Sequence, residues 1–133
     1  MTASFTRVFL TVEARADINA IAEHDVKVAA LTAMVEIERD LSFGRLLEVR
    51  SGTGDLRGCR KVYVDKPSDD KPRYRLVYWC SPDERLPRQA RIIAFGERYQ
   101  LKAYELAAER YDGDRVSVGQ PPVDTQTDQQ LGL

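Results

Sequence analysis

Three stretches rich in β-branched and aromatic residues crowd between residues 59 and 95, and they limit the possible folds more than any other feature of the chain. The first is Cys59-Arg60-Lys61-Val62-Tyr63-Val64, the second Tyr74-Arg75-Leu76-Val77-Tyr78-Trp79, and the third Ala90-Arg91-Ile92-Ile93-Ala94-Phe95. The segments between them, Pro67-Ser68-Asp69-Asp70-Lys71-Pro72 and Ser81-Pro82-Asp83-Glu84-Arg85-Leu86-Pro87, are polar and proline-bounded turns. A parallel crossover needs a dozen or more residues, so linkers this short predict antiparallel hairpins.

Ahead of these strands the hydrophobic period is different. Thr6 to Val12 alternates, with Val8, Leu10 and Val12 on one side, and predicts a strand. From Glu13 to about Glu23, Ala14, Ile18, Ile21 and Ala22 fall at helical spacing. A second helix is expected from Asp25, a suitable N-cap, to Leu41, with Ala30, Met34, Ile37 and Leu41 as its apolar stripe. Gly44 and Ser51-Gly52-Thr53-Gly54 then interrupt regular structure. A last helix is expected from Tyr99 to Tyr111. The reading is a single α+β domain over residues 1–112, of order βααβββα. It has a small antiparallel sheet packed by two N-terminal helices plus a C-terminal helix. Residues 113–133, with 1 basic and 3 acidic side chains, are expected to form a disordered acidic tail.

Several function classes lose support on composition. The chain has 133 residues, one histidine (His24) and two cysteines (Cys59 and Cys80), which argues against a serine–histidine triad, a disulfide scaffold or a zinc site. No cofactor and no metal are expected. No apolar run approaches the roughly 20 residues that span a bilayer, and no basic-then-apolar leader is visible after Met1. A cytoplasmic protein without membrane contact is the expectation, with reduced thiols. Cys59 and Cys80 fall on opposite faces of neighbouring strands if the register is regular, so they are not expected to bridge.

The overall net charge of −1 conceals an uneven distribution. Residues 57–110 carry 13 basic and 8 acidic side chains, a net of +5, between two segments that are each −3. A polyanion feels local charge, because screening limits its reach to roughly 8–10 Å. Lys61 and Tyr63 are two apart on one strand and share a face, and Arg75 lies on the next strand. Arg98 follows Gly96 where the last strand ends, and Tyr104 lies six residues beyond it. Cations with phenols and no histidine suit a phosphodiester. Arg gives paired hydrogen bonds to phosphate oxygens and Lys a point charge. In RNA the 2′-hydroxyl can itself be the nucleophile, and a crowded cationic site can depress a Lys or Tyr pKa enough to make either the base.

The order of these residues resembles the RelE/ParE toxin superfamily, closest to its RelE-like mRNA interferases. The resemblance rests on Gly54-Asp55-Leu56-Arg57-Gly58-Cys59-Arg60-Lys61-Val62, Tyr74-Arg75-Leu76-Val77-Tyr78, Ile93-Ala94-Phe95-Gly96-Glu97-Arg98 and Ala103-Tyr104, and covers roughly residues 5–111. It implies a metal-independent endoribonuclease, the toxin of a toxin–antitoxin pair, that cuts mRNA on the ribosome and is silenced by a cognate antitoxin. Arg75 and Arg98 would then stabilise the scissile phosphate, with Arg98 as a possible acid. Lys61 would help activate the 2′-hydroxyl, and Tyr104 would orient the substrate. Tyr63 stands where close relatives carry a second basic residue. With Arg60 and Trp79 it completes the expected substrate-binding set. The alternative is a ParE-like module that inhibits DNA gyrase or another target without cleavage, and a third reading is a degenerate member kept for its antitoxin interface.

Overall fold

The computed structural model describes residues 5–47, 55–65 and 73–123. The turn at 67–72, the Ser51–Gly54 punctuation and residues 124–133 lie outside the described residues. The architecture is α+β, with a five-stranded mixed sheet and three helices among the described residues. In chain order these are β1 (Val8–Leu10), α1 (Val12–Asn19), α2 (His24–Arg39), β2 (Arg45–Leu46), β3 (Cys59–Val64), β4 (Tyr74–Ser81), β5 (Gln89–Glu97) and α3 (Lys102–Ser117), the last preceded by a 3₁₀ turn at Tyr99–Leu101. The sheet order is β1-β5-β4-β3-β2.

The central hairpins pair as the short linkers require, β3 with β4 and β4 with β5, both antiparallel. The sheet as a whole is not antiparallel, because β1 pairs parallel with β5. The chain reaches β5 only after α1, α2 and strands β2 to β4, a connection well beyond the roughly dozen residues that a parallel neighbour needs. Val12, expected on the strand, instead starts α1 and is exposed. Thr11 ends the strand there: its hydroxyl donates to Ile92 O at 2.8 Å and accepts from Ala14 N as the N-cap of α1.

A bulge on β5 sorts side chains between two cores. Val77 pairs with Ala94 but Tyr78 with Ile92, so one extra residue sits on β5. Ile92 and Phe95 therefore face α1 and α2 with Val62, Leu76 and Tyr78, while Ile93 and Ala94 both face α3 with Cys59, Val77 and Trp79. Beyond β1 the β5 edge would be bare. Asp17 of α1 covers it by accepting from Phe95 N at 3.0 Å, and Arg110 of α3 clamps the same carboxylate at 2.6 Å. Cys59 and Cys80 are buried free thiols in different cores, as alternation on β3 and β4 requires.

The expected tail beginning at residue 113 is corrected by the structure. Helix α3 continues through Gly113 to Ser117, and Val123 is buried in the α3 core with its N–H donating to Asp112 Oδ1 at 2.8 Å. The reason is tertiary. Asp114 is held by Trp79 and Arg91 of the sheet, and those bonds outweigh the roughly 1 kcal/mol that a helical glycine costs.

Strand β2 is short but anchored. The fully buried Tyr78 hydroxyl donates to Leu41 O and accepts from Gly44 N, both at 2.8 Å, and burial raises its pKa so that it stays protonated. A Cβ at Gly44 would lie 2.7 Å from Tyr78 Cε1 and 2.9 Å from Lys61 O. Glycine is thus needed for β2 to approach so closely. Tyr78→Phe strands the buried Gly44 amide and leaves the Leu41 carbonyl only the weak Cys80 thiol donor, and we expect a loss of about 1–3 kcal/mol in urea denaturation. Faster amide exchange at Gly44 should accompany it. Unchanged stability would mean that the anchor contributes nothing.

Candidate functional site

Register brings part of the expected site together. Lys61 and Tyr63 point to the α3 side of β3, and Tyr63 pairs directly with Arg75 on β4. The Arg75 guanidinium stacks on the Tyr63 ring at 4.0 Å from its centroid, and the Lys61 ammonium lies 5.1 Å from the same centroid. Arg75 is largely buried and also donates to Tyr74 O at 3.1 Å, so it is held as a fixed planar cation. Tyr63 is 50% exposed at the open side of this stack.

A third cation joins from β2. Arg45 pairs directly with Lys61 across the β2–β3 ladder and is exposed. The sequence reading missed it because a two-residue strand carries no alternation to detect. Together these cations act on the phenol. A hydrogen bond from Lys61 is the main cause that lowers the Tyr63 pKa; burial opposes it, and the charges of Lys61, Arg75 and Arg45 add to the lowering. The cluster can therefore hold an anion and present a phenol that ionises more readily than usual.

The other expected residues are not in this cluster. Arg60 points to the opposite face of β3. Its guanidinium is bonded to Glu84 Oε1 at 2.8 Å and to Gly44 O at 2.5 Å. It locks the β2 turn to the 81–88 loop, a structural role that corrects its expected place among substrate-binding residues. Trp79 does share the Arg75 face but is 1% exposed, with its indole N–H on Asp114 Oδ2 at 2.8 Å. No base can stack on it. Tyr104, 5% exposed, packs in the core between α3 and the sheet beside Ala103 and Ala107 rather than facing a substrate. Arg98 is exposed, but it lines a separate pocket of about 260 Å³ with Arg73, Tyr74, Glu97 and Tyr99. At Gly96 a Cβ would lie 3.1 Å from Ala103 N, so the start of α3 closes directly on β5.

The basic middle segment also proves narrower than its charge count. Arg57 pairs with Asp55, Arg60 with Glu84, Arg73 with Asp65 and Glu23, Arg91 with Asp114, and Arg110 with Asp17. Much of the excess charge is spent inside the fold, and the cluster about Tyr63 is where cations converge on an exposed aromatic ring. No described helix is long and apolar enough to cross a membrane. Comparison with known proteins returned no matching family model, no matching curated protein and no matching solved structure.

Proposed function

We propose that this chain is a RelE-like toxin that cleaves RNA without a metal, and that the Arg45, Lys61, Tyr63 and Arg75 cluster is its cleavage site. The observation that carries the reading is the exposed phenol ringed by three cations, with its pKa lowered chiefly by Lys61. Tyr63 as phenolate takes the proton of the 2′-hydroxyl, whose oxygen attacks phosphorus. The bond to the 5′ oxygen breaks, and that oxygen takes up a proton from water. The products are a 2′,3′-cyclic phosphate and a 5′-hydroxyl end. Arg75 and Lys61 stabilise the charge that grows on the phosphorane. The substrate is mRNA on the ribosome, and the regulating partner is a cognate antitoxin; both follow from the motif resemblance, as does a βααβββα toxin fold to which β2 is added.

Induced expression followed by mapping of mRNA 5′ ends tests this. Discrete, codon-phased cuts are expected, and a substrate with 2′-methoxy groups should resist cleavage by the purified protein. Cutting of the blocked substrate would refute 2′-hydroxyl attack. The pH profile is a second measure. Phenolate rises tenfold per unit below its pKa, so the rate should climb with pH and level off below the ordinary phenol value of about 10. Lys61→Ala removes the main cause of the shift, so in that variant the plateau should move to higher pH. An unmoved profile would exclude Tyr63 as the base.

A second reading has one observation in its favour. Arg98 lines another pocket and Tyr104 is buried, which leaves fewer cleavage groups together than the resemblance implies. A ParE-like module that binds gyrase or another target needs no such assembly. Growth arrest with no new RNA ends would select it.

A further inference from the structure

Two half-exposed aromatic rings share one pocket with two of the site cations. Phe43, 46% exposed, and Tyr63, 50% exposed, line a shallow pocket of about 310 Å³ together with Gly44, Arg45, Lys61 and Val62. That volume is at the lower end for ligand sites, fitting one planar group rather than a folded partner. We propose that this pocket is a nucleobase subsite: Phe43 and Tyr63 hold one unpaired base of single-stranded RNA, and Arg45 and Lys61 hold the phosphate beside it. The proposal rests on the RNA-cleaving reading of the same site and adds to it the part of the substrate that is recognised.

Three features favour this occupant. Aromatic faces beside cations match the alternation of flat bases and phosphates along a single strand. In a duplex the bases are already stacked and paired, so no ring is available to enter. The pocket is also preorganised. Gly44, between Phe43 and Arg45, is tied by its N–H to the buried Tyr78 hydroxyl, and Arg45 is held by pairing with Lys61. Finally, two larger cavities are lined by cations already bonded within the protein, Arg57 to Asp55, and Arg91 and Arg110 to Asp114 and Asp17. A third, of about 530 Å³, shares Phe43 and Tyr63 but is lined by Asp25, Glu36 and Asp65 and by no cation to hold a phosphate.

The test is anisotropy binding of a labelled, fully 2′-methoxy single-stranded RNA to the full chain, so that cleavage does not enter the readout. Phe43→Ala should weaken binding by about tenfold or more, because stacking on one base contributes roughly that much. Phe43→Tyr should restore it. An abasic RNA should bind the native chain and Phe43→Ala equally. Arg45→Ala should also lower the slope of log affinity against log salt by about 0.7, the loss of one phosphate contact on a single strand, whereas Phe43→Ala should leave that slope unchanged. If Phe43→Ala binds like the native chain while Lys61→Ala does not, the subsite is wrong and the RNA reading survives. A Phe43 dependence as strong on duplex RNA would also overturn the subsite. If the native chain binds no RNA, both readings fall.

Discussion

Asp114→Ala is expected to destabilise the domain by about 3–5 kcal/mol, the usual cost of removing one partner from a buried ion pair. The Asp114 carboxylate accepts from Arg91 Nε at 2.8 Å, Arg91 Nη2 at 3.0 Å and Trp79 Nε1 at 2.8 Å. The Arg91 and Asp114 side chains are 10% and 11% exposed, so water does not readily replace what is lost. Arg91 would keep its hydrogen bond to Gln89 Oε1 at 3.0 Å and its place over the Phe9 ring, but no counter-charge at this site, and the Trp79 indole would lose its acceptor. Asp114→Asn retains one acceptor oxygen without the charge and should fall between the two. Guanidinium denaturation gives both values. A loss below about 1 kcal/mol for Asp114→Ala would show that the last turn of α3 does not tie the helix to the sheet. By the same argument, truncation after Asp112 removes Asp114 and Val123 and should destabilise the fold rather than leave it unchanged.

The central strands are legible in the sequence because they depend on local signals: β-branched runs, proline-bounded turns and alternation on both faces. Lys61, Tyr63 and Arg75 share a face for that reason alone, and the register pairs Tyr63 with Arg75. What the sequence hides is set by tertiary contacts. The bulge at Ile93 reverses the alternation of β5 without any glycine or proline to mark it. Gly113 reads as a helix stop, yet Asp114 and its sheet partners carry α3 through it. Trp79 and Tyr104 look suited to substrate stacking because aromatic residues serve equally in cores and at binding faces; their burial distinguishes the two uses. Arg60 sits beside Lys61 in sequence but is turned away by the period of two, and Glu84 holds it there. Arg45 is visible only through its pairing with Lys61.

The largest effects on activity are expected from the cluster itself, and the pattern among variants identifies the base. Arg75→Ala should lower cleavage at least about a hundredfold, the range for losing a fixed donor to transition-state charge. The variant also removes the guanidinium stacked at 4.0 Å on Tyr63, so Arg75→Lys, which keeps charge but not planarity, should recover only part of the rate. Tyr63→Phe keeps the ring, the stack and the pocket while deleting the ionisable oxygen. If Tyr63 is the base, that single atom should cost about a hundredfold or more in rate, with RNA binding retained. Lys61→Arg preserves a cation able to donate to the phenol, and so should stay within about tenfold of native activity. An arginine does not deprotonate in proteins, so the reverse pattern, an inactive Lys61→Arg with an active Tyr63→Phe, would transfer the role of base to Lys61. Single-turnover cleavage beside 2′-methoxy RNA binding separates rate from affinity for every variant. Equal, full activity in Arg75→Ala and Tyr63→Phe would remove the catalytic assignment of the cluster altogether.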